Sequence, residues 1–140
     1  MPFFKLKQHA TPGICEPQLF NEAECKQMKH KIADYVKQCL KERLDKEPGN
    51  VRITIVDDMI IIRNEHYLTK MEKYIISKES TGVETVRSIR IDAVTGIINE
   101  GGLVSFIEEL IHAKALYSLY DVYPEDEQCV LLFVFDKKLA

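Results

Sequence analysis

Between residues 21 and 46, apolar positions recur at gaps of three and four. They fall at Cys25, Met28, Ile32, Tyr35, Val36, Cys39, Leu40 and Leu44, with Lys and Glu filling most of the rest. Such spacing puts one apolar stripe on an amphipathic helix. Asn21 with Glu24 predicts an N-cap and capping box at its start, and Pro48-Gly49 predicts its stop and a turn. The period then changes. "VRITIV" (51–56) alternates every second residue and is rich in β-branched side chains, as a strand does. "MIIIR" (59–63) predicts a second strand, with Asp57-Asp58 as the tight connection of a hairpin.

Thr69 opens a further helix whose apolar positions are Met71, Tyr74, Ile75 and Ile76. Its first turn, "TKME", matches a capping box of Thr69 and Glu72. Val83, Val86, Ile89, Ala93 and Ile97 give another helical face, bounded by Gly82 and by Gly101-Gly102. Leu103, Phe106, Ile107, Leu110 and Ile111 predict a short helix after it. "AKALYSLYDVY" then predicts a strand, "PEDE" a polar turn and "QCVLLFVFD" a closing strand. That last strand is apolar almost throughout, so both its faces are expected to be covered. The order of helix, hairpin, helices and hairpin predicts an α+β fold. Two hairpins form an antiparallel sheet of about four strands, with the helices packed on one face. Residues 1–20, with Pro2, Pro12, Gly13 and Pro17, have no period and predict a loose arm whose Phe3 and Phe4 dock on an apolar surface; residues 21–140 form one domain.

The chain has 140 residues, 46% of them hydrophobic, 29% charged, with a net charge of −3. A chain of this size buries enough apolar surface to fold without a disulfide or metal. The weakly acidic balance argues against a nucleic-acid binder working by phosphate neutralisation. "MPFFKLKQHATPGIC" lacks the sustained apolar run of a secretory signal, and "MIII" and "CVLLFVF" are too short to cross a bilayer as helices. The expectation is a cytoplasmic protein with no nucleic-acid partner and no insertion into the membrane. Cys15, Cys25, Cys39 and Cys129 show no paired spacing, so free thiols are expected and no metal site or cofactor is indicated. Cys25 and Cys39 fall on the apolar stripe as small hydrophobes; Cys15, in the arm, is the better candidate for a reactive thiol, although no neighbour in the sequence clearly activates it.

Candidate chemistry is sparse. Asp57, Asp58 and His66 together suggest acid–base or metal chemistry, but adjacent aspartates are also ordinary turn residues, and the turn reading is preferred. His9, His30, His66 and His112 form no paired-ligand spacing; His112 closes a helix, where a cation suits the dipole. Arg87 and Arg90 lie three apart on a predicted helix and so share a side of it. With Arg63 they are the best candidates for holding a carboxylate or phosphate. The competing reading pairs them with Glu84 or Asp92 on a solvated face.

From about residue 22 to 135 the ordered segments resemble the bacterial MpsC family. They are a long first helix ending in "KEPGNVRITIVDDMIIIR", then "LTKME", then "TGVETVRSIR", then "FIEELIHAKALYSLYDVYPEDEQCVLLFVF". The resemblance implies a small cytoplasmic protein connected with a membrane ion-translocating or bicarbonate-concentrating system. Carried over residue by residue, it implicates Leu68, Thr69, Glu72, Arg87, Arg90 and Asp121. The first three have a structural explanation in the capping box, which leaves Arg90 and Asp121 as markers of a ligand or partner surface. Three functions follow as expectations. The first is a non-catalytic accessory or regulatory protein acting through protein contacts, as a homodimer. The second is an anionic-ligand or nucleotide sensor using Arg63, Arg87, Arg90 and Asp121. The third, and least favoured, is an enzyme using Asp57, Asp58 and His66.

Overall fold

The computed structural model describes residues 19–140 and the backbone course of residues 3–5. Most of the expected arm, with His9 and Cys15, lies outside the described residues. The element order is β1 (Phe3–Lys5), α1 (Glu22–Leu44), β2 (Asn50–Val56), β3 (Met59–Glu65), α2 (Lys70–Lys78), α3 (Gly82–Asn99), α4 (Leu103–Ile111), β4 (Ala115–Tyr123) and β5 (Gln128–Phe135). A single 3-10 turn, Pro124–Asp126, joins the last two strands. The α+β expectation holds, with one addition: Phe3–Lys5 makes a fifth strand. The sheet is antiparallel in the order β1-β4-β5-β3-β2.

Local chemistry sets the boundaries. At α1, Asn21 accepts from the Glu24 backbone N–H, and Glu24 accepts from that of Asn21. Two of the helix's unpaired donors are thereby satisfied. The helix ends at Leu44, two residues before its expected end, because Asp45 turns left-handed at φ 51°. Gly49, at φ 72°, then brings the chain against the end of β3. A β-carbon there would sit 2.6 Å from the Glu65 carbonyl oxygen and 2.7 Å from that of His66. Only glycine tolerates both the dihedral and the approach.

Asp57, at φ 54°, provides the left-handed residue of the β2–β3 turn. The same turn anchors the end of the chain: the Asp57 carbonyl accepts from the Leu139 N–H at 2.6 Å, and the Asp58 carbonyl from the Phe135 N–H at 2.8 Å. His66 is also left-handed, at φ 54°, where β3 leaves the sheet.

The core lies between the helices and one face of the sheet. Burial alternates strictly along β5, with Cys129, Leu131, Phe133 and Phe135 buried. Ile60 and Ile62 of β3 and Tyr120 and Val122 of β4 join them. Met28, Ile32, Val36 and Leu40 from α1 cover this face, as do Val94 and Ile97 from α3 and Leu103, Ile107 and Ile111 from α4. Burial pushes the Cys129 thiol up to about 12, which makes it an unreactive core residue.

Two predicted apolar faces are corrected. Met71 and Tyr74 of α2 are exposed, and the buried residue of that helix is Glu72. On α3, Ile89 is exposed and Arg90 takes its place inside, next to Val86 and Ala93. The cause is the same in both cases, since Glu72 and Arg90 neutralise each other inside the fold.

Candidate functional site

The polar cluster with the deepest burial stands where α2 packs against α3. Thr69 caps α2 by accepting from the Glu72 N–H at 3.2 Å, and the Thr69 N–H donates back to Glu72 Oε1 at 3.0 Å. The same carboxylate takes a forked pair of bonds from Arg90. Nε donates to Oε2 at 2.9 Å and Nη2 to Oε1 at 2.6 Å. Nη2 also donates to the Tyr67 carbonyl at 3.0 Å, and the guanidinium lies 4.7 Å over the Tyr67 ring. Lys46, from the turn after α1, approaches Glu72 at 3.7 Å.

The Glu72 and Arg90 side chains are only 4% and 5% exposed. Burial alone would raise the Glu72 carboxyl. The bonds from Arg90 and Thr69, with the charges of Arg90 and Lys46, outweigh it and hold the group below its ordinary value. The cluster is therefore a charged clamp between α2 and α3. Gly82 allows the close approach: a β-carbon there would collide with the Ile75 backbone.

Arg87, one turn earlier, does something different. It reaches over the outer edge of β4, donating from Nε to the Val122 carbonyl at 3.2 Å and from Nη2 to Asp121 Oδ1. β1 pairs only with Tyr117, Ser118 and Leu119, so the edge of β4 beyond them is without a strand partner among the described residues. Arg87 fills that gap. Burial would raise the Asp121 carboxyl, but the Val122 N–H and Arg87 hold it below its ordinary value. The two arginines thus pair with Glu72 and Asp121, neither of which is Glu84 or Asp92.

Arg63 stands apart from Arg90, on the opposite face of the sheet. Its Nη2 donates to Gln128 Oε1 at 3.0 Å and lies 3.9 Å from Glu65. Arg52, directly across the β2–β3 ladder, pairs with the same Glu65 at 3.0 Å. Asp121 shares the row of Arg63, with Val130 between them, which puts them about 10 Å apart at normal strand spacing. The four predicted ligand residues therefore divide. Arg63, Asp121 and the tip of Arg87 gather at one end of the open sheet face, and Arg90 is enclosed behind it.

Asp57 and Asp58 cannot join His66 in one site. They flank opposite ends of seven-residue β3, a separation of more than about 20 Å at the usual rise per residue. His66 Nδ1 lies 3.7 Å from Glu127, which Lys73 also approaches at 3.4 Å. Its left-handed backbone gives it a structural role at the exit of β3. Among the described residues, no group of three or more His, Cys, Asp or Glu is placed to hold a metal ion.

The open face of the sheet is the feature that sequence reasoning described least well. Its rows follow from the register. One runs Tyr117, Val134, Met59, Val56, and the next Leu119, Leu132, Ile61, Thr54. No described helix covers these rows, and Val130, Leu132 and Val134 are half-buried where complete coverage was expected. The next rows turn polar, with Arg63 and Arg52 and then Gln128 and Glu65. The face is apolar at the hairpin-tip end and charged at the other.

Comparison with known proteins places the chain. The family profile described as "Na+-translocating membrane potential-generating system (MpsC)" matches residues 24–137, nearly the whole described domain. "Uncharacterized protein YrhF" of Bacillus subtilis (strain 168) is 26% identical over 110 residues, covering 79% of this chain and 88% of that protein. No solved structure gives a significant match.

Proposed function

The chain belongs to the MpsC family, and from that premise we propose that it is a non-catalytic accessory subunit that works by protein contacts, assembling as a homodimer through the open face of its sheet. The observation that carries the dimer is the pair of apolar rows across β4, β5, β3 and β2. Side chains such as Leu132, Ile61, Val134 and Met59 lie side by side at adjacent-strand spacing. A contiguous apolar patch bordered by charge is the usual form of an association surface. The partner system implied by the family description is a membrane ion-translocating assembly. No described helix is long and apolar enough to cross a membrane, so in this reading the chain meets that assembly from the cytoplasmic side.

Light scattering on the size-exclusion peak tests the dimer. Twice the mass of a 16.2 kDa chain is expected, falling to one chain with Leu132→Lys. A monomer at all concentrations overturns the reading.

A second reading, an anion sensor, is favoured by the adjacent Arg52 and Arg63, whose side chains are 57% and 40% exposed. Together with Arg87 and Asp121 they border the charged end of the same face. Inorganic phosphate should then raise the melting temperature, and Arg63→Gln should abolish the rise. No rise at concentrations far above any useful affinity removes this reading.

A further inference from the structure

The two edges of the sheet are treated differently. At the β4 edge the chain supplies β1 and then Arg87. At the β2 edge no described strand pairs with the outer side of Asn50–Val56, whose inner side pairs with β3. β2 is seven residues long, has no proline and keeps unbroken register with β3. In antiparallel pairing, alternate residues of an edge strand point N–H and C=O outward. A two-residue connection makes Val56 and Met59 a bonded pair, so the outward groups belong to Val51, Ile53 and Ile55.

Alongside this edge a groove of about 350 Å³ lies between α1 and β2. Lys26, Lys29, His30 and Lys37 line it from the helix, and Arg52 lines it from the strand, against one acid, Asp34. The chain as a whole carries −3, so this groove opposes the overall charge. None of Lys26, Lys29 and Lys37 makes an ion pair with a described residue. From Lys26 to Lys37 the rise along α1 is about 17 Å, close to the roughly 20 Å length of a seven-residue strand.

We propose that the β2 edge and the α1 groove together bind an extended, Asp/Glu-rich segment of a partner protein, which adds to the sheet as a sixth strand. Its backbone pairs with the outward groups of Val51, Ile53 and Ile55. Its side chains alternate between two faces. Acids on one face meet Lys26, Lys29 and Lys37, and acids on the other meet Arg52. A second copy of this chain fits poorly, because two-fold pairing of β2 with β2 brings the Arg52 side chains and both lysine rows toward their own copies. A nucleic acid would satisfy the lysines and leave the strand edge without a match. Lysines near an edge also guard against unwanted pairing, and the test separates guarding from docking.

The probe is a fluorescein-labelled ten-residue peptide repeating Glu-Glu-Val-Val, which puts acids on both faces of a strand, titrated into the full chain by anisotropy. Amide exchange at Val51, Ile53 and Ile55 is followed in parallel. Expected are saturable binding, slowed exchange at those three amides, at least tenfold weaker binding to the variant K26E/K29E, and loss of binding when proline interrupts the peptide. The proposal is overturned by absence of binding. It is also overturned by equal binding of the proline peptide without slowed exchange, which is charge attraction alone. Tighter binding of an oligonucleotide with the edge amides unchanged overturns it too, as does protection of those amides in the free protein through self-pairing. The outcome is independent of the dimer, because Leu132→Lys leaves this edge intact.

Discussion

Arg87 and Arg90 sit on one helix, three residues apart, and have opposite surroundings. Arg90 is enclosed, holds Glu72 in a fork and lies over Tyr67, and its Nε and Nη2 donors serve the fold. Arg87 is 41% exposed and lies across a strand edge. A similar contrast separates the α2–α3 corner from the open side of the sheet. At the corner Glu72 and Arg90 pair with each other and Gly82 allows tight packing. On the sheet side, apolar rows face outward, bordered by the half-exposed Arg52 and Arg63. The difference suggests where to look for function, because charge and surface not used inside the fold remain available to partners.

The largest expected effect lies in the corner. Glu72→Ala or Arg90→Ala leaves one buried charge unpaired and should cost about 3–5 kcal/mol in denaturant unfolding. Replacing both by Met should cost much less than the sum, which would confirm a coupled pair. A double change that costs the full sum of the two single changes would break the contrast between this corner and the surface.

Gly49→Ala comes next. A left-handed, crowded position should lose about 1–3 kcal/mol, read as a lower urea midpoint with an unchanged slope. Acid sharpens the comparison further. Glu72 is held below its ordinary 4.5, so its contribution is full above that value and is lost as pH falls through it toward the lower folded value. Glu72→Gln should flatten the fall in stability over that acid range. The smallest effect is expected at Arg87→Ala, about 1 kcal/mol or less, because that pair is half in water.

Much of the fold was legible in the sequence because its signals are local. The Asn21–Glu24 and Thr69–Glu72 boxes, the Asp57-Asp58 turn and the strand alternation each involve residues a few positions apart. The site was less legible because its contacts join distant segments. Arg90 finds Glu72 across 18 positions and Arg87 finds Asp121 across 34. One signal did exist: Arg90 falls in the series Val86, Arg90, Ala93, Ile97, at gaps of four, three and four. A charge in that series has to point inward and so requires a buried carboxylate. Glu72 had already been explained by its cap, which hid its second role. Nothing local predicted that Phe3–Lys5 would pair with β4, since three residues carry no period.

The central claim is that the surface left open by the fold is the working one. It is tested most directly by the solution mass of the purified chain alongside that of its Leu132→Lys and Arg90→Ala variants. The account predicts a dimer for the parent, a folded monomer for Leu132→Lys, and a destabilised but still dimeric Arg90→Ala. A monomeric parent, or a Leu132→Lys variant that remains dimeric, would contradict it.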